Sequence, residues 1–212
     1  MDLAHPLAVV TPTVDGDVLS VLALTDLAFT AGQLGRMLTQ HSEDGIRRVL
    51  RRLDSQGIVE SERAGNAYLY RLNRRHLAAG PIMELARIPQ TLRARLDSQL
   101  ATWAPAPVYA AVFGSAARGG MRLSSDIDLL LIRPDNCDEE QWERLVVELE
   151  TDVTAWTGND ARVLEFSEAE VRNRGAQEPV LADVLGHGLT IAGTVAWLSR
   201  AMRGVGRVPN AS

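Results

Sequence analysis

The chain has 212 residues and 22 arginines but no lysine, with a formal net charge of −5. The absence of lysine excludes Walker-type phosphate loops and Schiff-base catalysis, because both need an amine side chain. Cys137 is the only cysteine, so no internal disulfide can form. No apolar run approaches the ~20 residues of a membrane span, and the N-terminus lacks the basic start of a secretory signal. We therefore expect a cytoplasmic protein without a membrane segment.

Charge and proline placement predict two modules. Residues 36–75 contain nine arginines and five acidic residues, whereas residues 101–212 carry a net charge of −6. The segment Ala104-Pro105-Ala106-Pro107 cannot continue a helix and marks the expected break. The predicted divisions are a first domain over 1–76, a connecting helix and linker over 77–104, a second domain over 105–203 and a tail over 204–212.

Three helices and a hairpin are predicted in the first module. Thr30 and Ser42 are suited to cap the second and third helices, and Gln56-Gly57 ends the third. Ala64-Gly65-Asn66 is suited to a tight turn between two strands. The predicted elements are helices over 16–27 (with Val18, Leu19, Val21, Leu22 and Leu24 inward), 30–40 and 42–56, followed by strands over 58–63 and 67–72.

This order of elements resembles a winged helix-turn-helix domain, and the stretch GIRRVLRRLDSQGIVESERAGNAYLYRLN carries the resemblance. In that family the third helix enters the DNA major groove and the wing touches the backbone. The resemblance implies double-stranded DNA as a partner, and binding as a homodimer is expected because the family commonly occupies two half-sites. The implied DNA-binding residues are Ser42, Arg47, Arg48, Arg51, Arg52 and Arg63.

Two alternatives to DNA binding stay open for this module. The arginines of the third helix can form a solvated face paired with Glu43 and Asp44. Winged helices also serve as protein-interaction modules, so the fold alone does not decide the function. The apolar residues that recur between Leu77 and Leu100 predict a helix for packing or dimerisation, kinked at Pro89.

The second module contains the pattern strand, Gly114-Ser115, ten residues, Asp126-Ile127-Asp128, strand. Side chains alternate along a strand, so Asp126 and Asp128 should share a face about 7 Å apart. Two such carboxylates suit a hard divalent cation, typically Mg²⁺. Gly114-Ser115 permits close approach of a phosphate to the backbone. Together they predict phosphoryl or nucleotidyl transfer, although Asp-x-Asp or Gly-Ser alone is common in solvated turns.

The combined pattern resembles the nucleotidyltransferase superfamily that includes DNA polymerase beta, and more closely its minimal members, some of which are antitoxins that transfer AMP to a partner toxin. The resemblance implies an α+β protein whose second domain is a mixed sheet with flanking helices. It implies a two-metal Mg²⁺ site on Asp126 and Asp128, and ATP or another nucleoside triphosphate as donor. The implied nucleotide-binding residues are Gly114, Ser115, Arg118 and Ser125.

A third carboxylate, the base of that family, is not identifiable in the sequence. After a helix over 139–156, the strand over 160–166 places Arg162 where the family has an aspartate. Glu165 and Asp160 are alternative carboxylates, but strand parity puts Glu165 on the face opposite Arg162. Without a base, transfer slows or the domain binds nucleotide without turnover.

The sequence thus supports two functions. The first is a Mg²⁺-dependent nucleotidyltransferase, acting on a hydroxyl of a protein, an RNA end or a small molecule and coupled to a DNA-binding winged helix. The alternative is a transcriptional regulator or antitoxin whose nucleotidyltransferase-like domain binds nucleotide or a toxin partner without efficient catalysis. Residues 179–203 are expected to form two helices joined by a turn that contains His187.

Overall fold

The computed structural model describes residues 1–122 and 124–204, which divide into two compact units. The first unit comprises residues 2–91, and the second begins at Leu92 and includes Met1. The division falls inside a helix. No helix among the described residues is long and apolar enough to cross a membrane.

The first unit is built from short helices and one hairpin around an apolar core. Its core contains Leu22, Leu34, Leu50 and other buried aliphatic side chains from all three leading helices. Its elements are a 3-10 helix at Pro6–Val9, α1 (Val14–Ala23), α2 (Ala31–Met37), α3 (Glu43–Ser55), β1 (Val59–Ala64), β2 (Ala67–Leu72) and α4 (Ala79–Ala86).

Side-chain caps start two of these helices where the sequence predicts. The Thr30 hydroxyl accepts from the Gln33 amide at 3.1 Å, and the Gln33 side chain accepts from the Thr30 amide at 2.7 Å. The Ser42 hydroxyl accepts from the Gly45 amide at 3.1 Å. The expected ends of the first two helices are wrong, because α1 and α2 stop at Ala23 and Met37. Leu24 consequently lies outside α1 and is 53% exposed rather than inward.

The hairpin closes through a two-residue loop. Ala64 pairs with Ala67, and Gly65 between them has φ +62°. A glycine with positive φ at the first loop position fits the primed turns that match the strand twist. Phe29 adds a third, short strand contact, because its backbone exchanges hydrogen bonds of 2.9 and 2.8 Å with Tyr70.

Residues 79–100 form two helices rather than one kinked helix. Helix α4 ends at Ala86, and α5 runs from Ile88 to Leu100. Pro89 lies in the first turn of α5, where its missing amide hydrogen leaves no unfilled helical hydrogen bond. Ala79 and Ala86 of α4 belong to the core of the first unit, whereas α5 from Leu92 onward belongs to the second.

The second unit contains a mixed four-stranded sheet of order β5-β4-β3-β6, which confirms the predicted mixed sheet with flanking helices. Strand β3 is antiparallel to β4 and to β6, whereas β4 and β5 are parallel. Besides part of α5, its elements are β3 (Tyr109–Phe113), α6 (Gly114–Ala117), β4 (Ile127–Arg133), α7 (Glu139–Thr157), β5 (Ala161–Ser167), α8 (Glu168–Arg174), a 3-10 helix at Gly175–Gln177, α9 (Pro179–His187), β6 (Leu189–Ala192) and α10 (Val195–Met202).

Apolar side chains fill both faces of β4. Leu130 and Ile132 pack with residues of α8, α9 and α10, and Leu129 and Leu131 are buried on the other face. Helix α7 also protects the free edge of β5. Its Thr154 hydroxyl accepts from the Ala161 amide at 3.2 Å, and a Glu150 carboxylate oxygen accepts from the Val163 amide at 2.9 Å. Edge amides bonded in this way cannot recruit another strand.

The prediction for residues 179–203 is wrong in one respect, because strand β6 lies between the two helices. Leu189-Thr190-Ile191-Ala192 is too short to show a strand period, and its partner β3 lies far away in sequence. His187 is the last residue of α9 rather than a turn residue. Of the predicted tail, residues 205–212 lie outside the described part of the chain.

Gly193, which follows β6, offers a test of this topology. It has φ +73°, and a Cβ there would lie 2.3 Å from the Val108 carbonyl oxygen. Gly158 has φ +71° but nothing within 4 Å of an added Cβ, so it is a matched control. We expect Gly158→Ala to lower the free energy of unfolding by about 1–2 kcal/mol, the cost of left-handed backbone. Gly193→Ala should cost about 1–3 kcal/mol more, because backbone must also move.

Chemical denaturation followed by tryptophan fluorescence measures both variants. All four tryptophans, at positions 103, 142, 156 and 197, lie in the second unit, so the signal reports on that unit alone. Equal losses in the two variants would contradict the packing of Gly193 against Val108.

Candidate functional site

The strand directions of the second unit bring three chain segments to one end of the sheet. Because β3 is antiparallel to β4, its last residue Phe113 pairs with Asp128 near the start of β4. Because β4 is parallel to β5, Asp128 also lies beside Arg162 at the start of β5. Gly114, the Asp126–Asp128 pair and Arg162 are therefore neighbours, although up to 48 residues separate them along the chain.

Gly114 lies so close to Asp128 that a larger residue would have to displace the Asp128 carboxylate. Its φ is +67°, and an added Cβ would lie 2.3 Å from the Asp128 Oδ2 atom and 3.2 Å from its Cγ atom. Ser115 follows in the short helix α6 and is half-buried. Gly114 of the predicted Gly-Ser pair thus lies directly against Asp128.

The surroundings of Asp128 disfavour its ionised form. Burial raises the pKa of Asp128 above its ordinary value, and the negative charge of Asp126 raises it further. The positive charges of Arg162 and Arg118 act on the same pKa in the opposite direction. A bound cation would favour the ionised form of Asp128 and so act against this upward shift of its pKa.

Arg162 forms an ion pair with the first of these carboxylates. Its Nη2 atom lies 3.0 Å from the Asp126 Oδ2 atom, and the two side chains are 70% and 28% exposed. In the register of β4 and β5, Arg162 lies beside Asp128.

Neither alternative carboxylate joins the pair. Glu165 lies on the opposite face of β5, where the Trp142 indole donates a hydrogen bond to it. Asp160 precedes β5, and its backbone carbonyl accepts from the Ile127 amide at 2.8 Å. Across residues 1–122 and 124–204, no group of three or more acidic, histidine or cysteine side chains has metal-binding geometry.

Asp126 and Asp128 are a pair of donors that suits Mg²⁺. In proteins, Mg²⁺ is commonly held by one or two carboxylates together with waters and substrate phosphates. Asp126 and Asp128 can provide the two carboxylates. Arg162 already contacts Asp126, and the described residues offer no third carboxylate beside the pair.

Two predicted nucleotide-binding residues have structural partners. The Arg118 Nη1 atom contacts both carboxylate oxygens of Asp183 in α9, at 2.8 and 2.7 Å. The Ser125 hydroxyl oxygen accepts from the Arg122 amide at 2.9 Å, and its carbonyl accepts from Asn159 Nδ2 at 2.8 Å. Ser125 thus braces the loop that leads into Asp126. No local sequence signal indicates Asp183, because 65 residues separate it from Arg118.

The predicted DNA-binding arginines of α3 are all exposed, but two are paired. Arg47 Nη2 lies 2.5 Å from a Glu43 carboxylate oxygen, and Arg52 pairs with Asp15. In the part of the chain that the structure describes, Arg48 and Arg51 have no ion-pair partner.

The remaining two predicted DNA-binding residues have local roles. Arg63 Nε donates to the Gly65 carbonyl at 3.2 Å within the hairpin, and Ser42 caps α3. An open groove of about 690 Å³ is lined by residues that include Arg47, Arg51, Tyr68 and Tyr70.

Comparisons with known proteins bear on the second unit. Residues 99–175 match the family model described as Polymerase beta, Nucleotidyltransferase, a range that includes β3, β4 and β5. No curated protein sequence is significantly similar to the chain.

Solved structures with low similarity are toxin–antitoxin complexes. One of them is a toxin–antitoxin complex with AMP-PNP. Its matching chain is 17% identical in sequence to this protein, the match covers 52% of this protein and 80% of that chain, and the TM-score is 0.39. Another is a tri-AMPylated Shewanella oneidensis HEPN toxin in complex with MNT antitoxin, at 16% identity, 54% and 81% coverage and a TM-score of 0.37. The family match shows that the second unit contains a nucleotidyltransferase-like domain.

Proposed function

We propose that the second unit binds a nucleoside triphosphate with Mg²⁺ and transfers the nucleoside monophosphate, AMP from ATP, to an acceptor hydroxyl. The observation that carries this proposal is the contact of the Gly114 backbone with Asp128, beside Asp126, within the segment that matches the nucleotidyltransferase family. A phosphate chain and a divalent cation need these two features side by side.

Each residue has a distinct role in this proposal. Gly114 leaves the backbone accessible to the β- and γ-phosphates, and Ser115 donates its hydroxyl hydrogen to them. Asp126 and Asp128 would hold Mg²⁺, which supplies neutralisation of the charge on the phosphates when bound. Arg118 adds a planar cation suited to phosphate oxygens, and its ion pair with Asp183 fixes its position next to α6.

The transfer is an in-line substitution at the α-phosphorus. A bond forms between the acceptor oxygen and the α-phosphorus, the bond to the oxygen that bridges to the β-phosphorus breaks, and pyrophosphate leaves. The hydroxyl proton passes to solvent, because a guanidinium such as that of Arg162 has no lone pair to accept it. Acceptors of three kinds carry a suitable hydroxyl: a protein side chain, an RNA end and a small molecule.

The Arg162–Asp126 ion pair favours a second candidate function. A domain without a base beside its carboxylates can bind nucleotide and act as a regulator or an antitoxin with little turnover. The two candidates differ in whether bound ATP is consumed.

For the first unit we propose binding to duplex DNA through α3 as a winged helix. Arg48 and Arg51 project from the exposed side of α3, and the hairpin of β1 and β2 follows directly, as a wing does. Phosphate contacts by such arginines supply sequence-independent affinity. A homodimer that binds two half-sites is part of this proposal.

Isotopically labelled ATP tests the transfer. We expect transfer of label from α-labelled ATP to an acceptor in the presence of Mg²⁺. The transfer should fall by at least about 100-fold in Asp126→Asn/Asp128→Asn, which removes the two negative charges that would hold the cation without changing side-chain shape. Glu143→Gln/Glu148→Gln changes charge equally at exposed positions of α7 and should transfer label normally.

Equal transfer by the wild type and the aspartate variant would contradict the assigned site. Tight Mg²⁺-dependent binding of ATP, without transfer to protein, RNA or small-molecule acceptors, would instead support the regulator or antitoxin function.

Salt-dependent binding to duplex DNA tests the role of α3. Arg48→Ala/Arg51→Ala should weaken binding and reduce the slope of log K against log salt by about 2, because two phosphate contacts no longer release counterions. Arg144→Ala/Arg200→Ala removes the same charge from exposed positions of the second unit and is the matched control. If both double variants change the slope equally, only overall charge matters and the assignment of α3 is wrong.

A further inference from the structure

The ion pair between Arg162 and Asp126 is the one feature of the carboxylate site that the proposed transfer does not use. Two separate observations fix Arg162 there. The parallel pairing of β4 and β5 places its backbone beside Asp128, and its Nη2 atom lies 3.0 Å from Asp126 Oδ2. Its side chain is 70% exposed, so packing alone does not hold it against the carboxylate.

The chemistry of a guanidinium limits what Arg162 can do. It stays charged at every physiological pH, it donates hydrogen bonds and accepts none, and it cannot ligate a metal. It can therefore act at Asp126 only as a cation. Together with Asp126 and Asp128 it leaves the cluster with a net charge of −1, which one divalent ion turns to +1 beside a polyanionic triphosphate.

We propose that Arg162 is a built-in cation that takes the place of a second divalent ion at Asp126, so that the site binds nucleotide with a single divalent ion. The proposal rests on nucleotide binding at Gly114 and Ser115 as proposed above. It assigns to Arg162 the role of setting how many ions bind and how tightly, because any ion that approaches Asp126 meets a positive charge already in contact with it.

The ion count in the nucleotide complex is the first measurement. Mn²⁺ is titrated into the full chain saturated with an ATP analogue whose α–β bridging oxygen is replaced by methylene, and free Mn²⁺ is followed by electron paramagnetic resonance. We expect one ion per wild-type chain and two per chain of Arg162→Asp, which adds a third carboxylate at this position. Two ions in the wild type, or one in a folded Arg162→Asp, would overturn the proposal.

A second measurement does not depend on nucleotide or on Arg162→Asp folding. Mn²⁺ alone should bind about tenfold more tightly to Arg162→Gln than to the wild type at low ionic strength, the size expected from removal of a unit positive charge a few ångströms from a divalent ion in solvent. Arg144→Gln, which removes an exposed arginine from α7, should bind Mn²⁺ like the wild type.

The two experiments separate failure of this inference from failure of the proposed function. If the analogue binds to no variant, the proposed transfer is wrong, while the titration with Mn²⁺ alone still decides the role of Arg162. Equal affinities of Arg162→Gln and the wild type for Mn²⁺ would overturn the inference even if the analogue binds well.

Discussion

The close approach of the Gly114 backbone to the Asp128 carboxylate is the constraint on which the rest of the second unit depends. The approach requires β3 to end beside the start of β4, because only antiparallel neighbours bring these ends together. It also requires positive φ and no Cβ at Gly114. A polar edge and a tight turn thus replace apolar packing at this end of the sheet.

This arrangement is electrostatically unfavourable, because the Asp128 carboxylate is half-buried and a second carboxylate lies two residues away. Two arginines act against this effect, because their positive charges favour the ionised form of Asp128. Arg162 comes from the neighbouring strand and pairs with Asp126, whereas Arg118 follows α6 and is itself held by Asp183. Burial and the charge of Asp126 nevertheless hold the pKa of Asp128 above its ordinary value, so a bound cation would stabilise its ionised form.

The site could be predicted from the sequence where its determinants are local. The Gly-Ser pair and the Asp-x-Asp pair lie within fifteen residues of each other, and strand parity alone places Arg162 and Glu165 on opposite faces of β5. The helix caps Thr30 and Ser42 could also be predicted from the sequence, because a capping side chain and its amide partner are only three residues apart.

Determinants that are distant in sequence could not be predicted. Strand β6 has four residues and no period of its own, so only its pairing with β3 identifies it as a strand. The contact of Asp183 with Arg118 depends on where α9 packs. The limits of the two units also depend on packing between residues that are distant in sequence. Ala79 and Ala86 look like part of a connecting helix, yet their burial in the first core is a tertiary property.

The arginines of α3 show how a surface ion pair should be weighed. Arg47 pairs with Glu43, but both side chains are about half exposed, and such pairs contribute only about 0–1 kcal/mol. A phosphate can therefore displace Glu43 at little cost, and the pair does not exclude Arg47 from a DNA interface. Arg162 differs in its surroundings: its partner Asp126 is 28% exposed and lies two residues from Asp128, whose pKa is raised by burial and by the charge of Asp126. Removing Arg162 would raise the pKa of Asp128 further, because its positive charge acts against the charge of Asp126, whereas loss of Arg47 leaves only the exposed Glu43 without its partner.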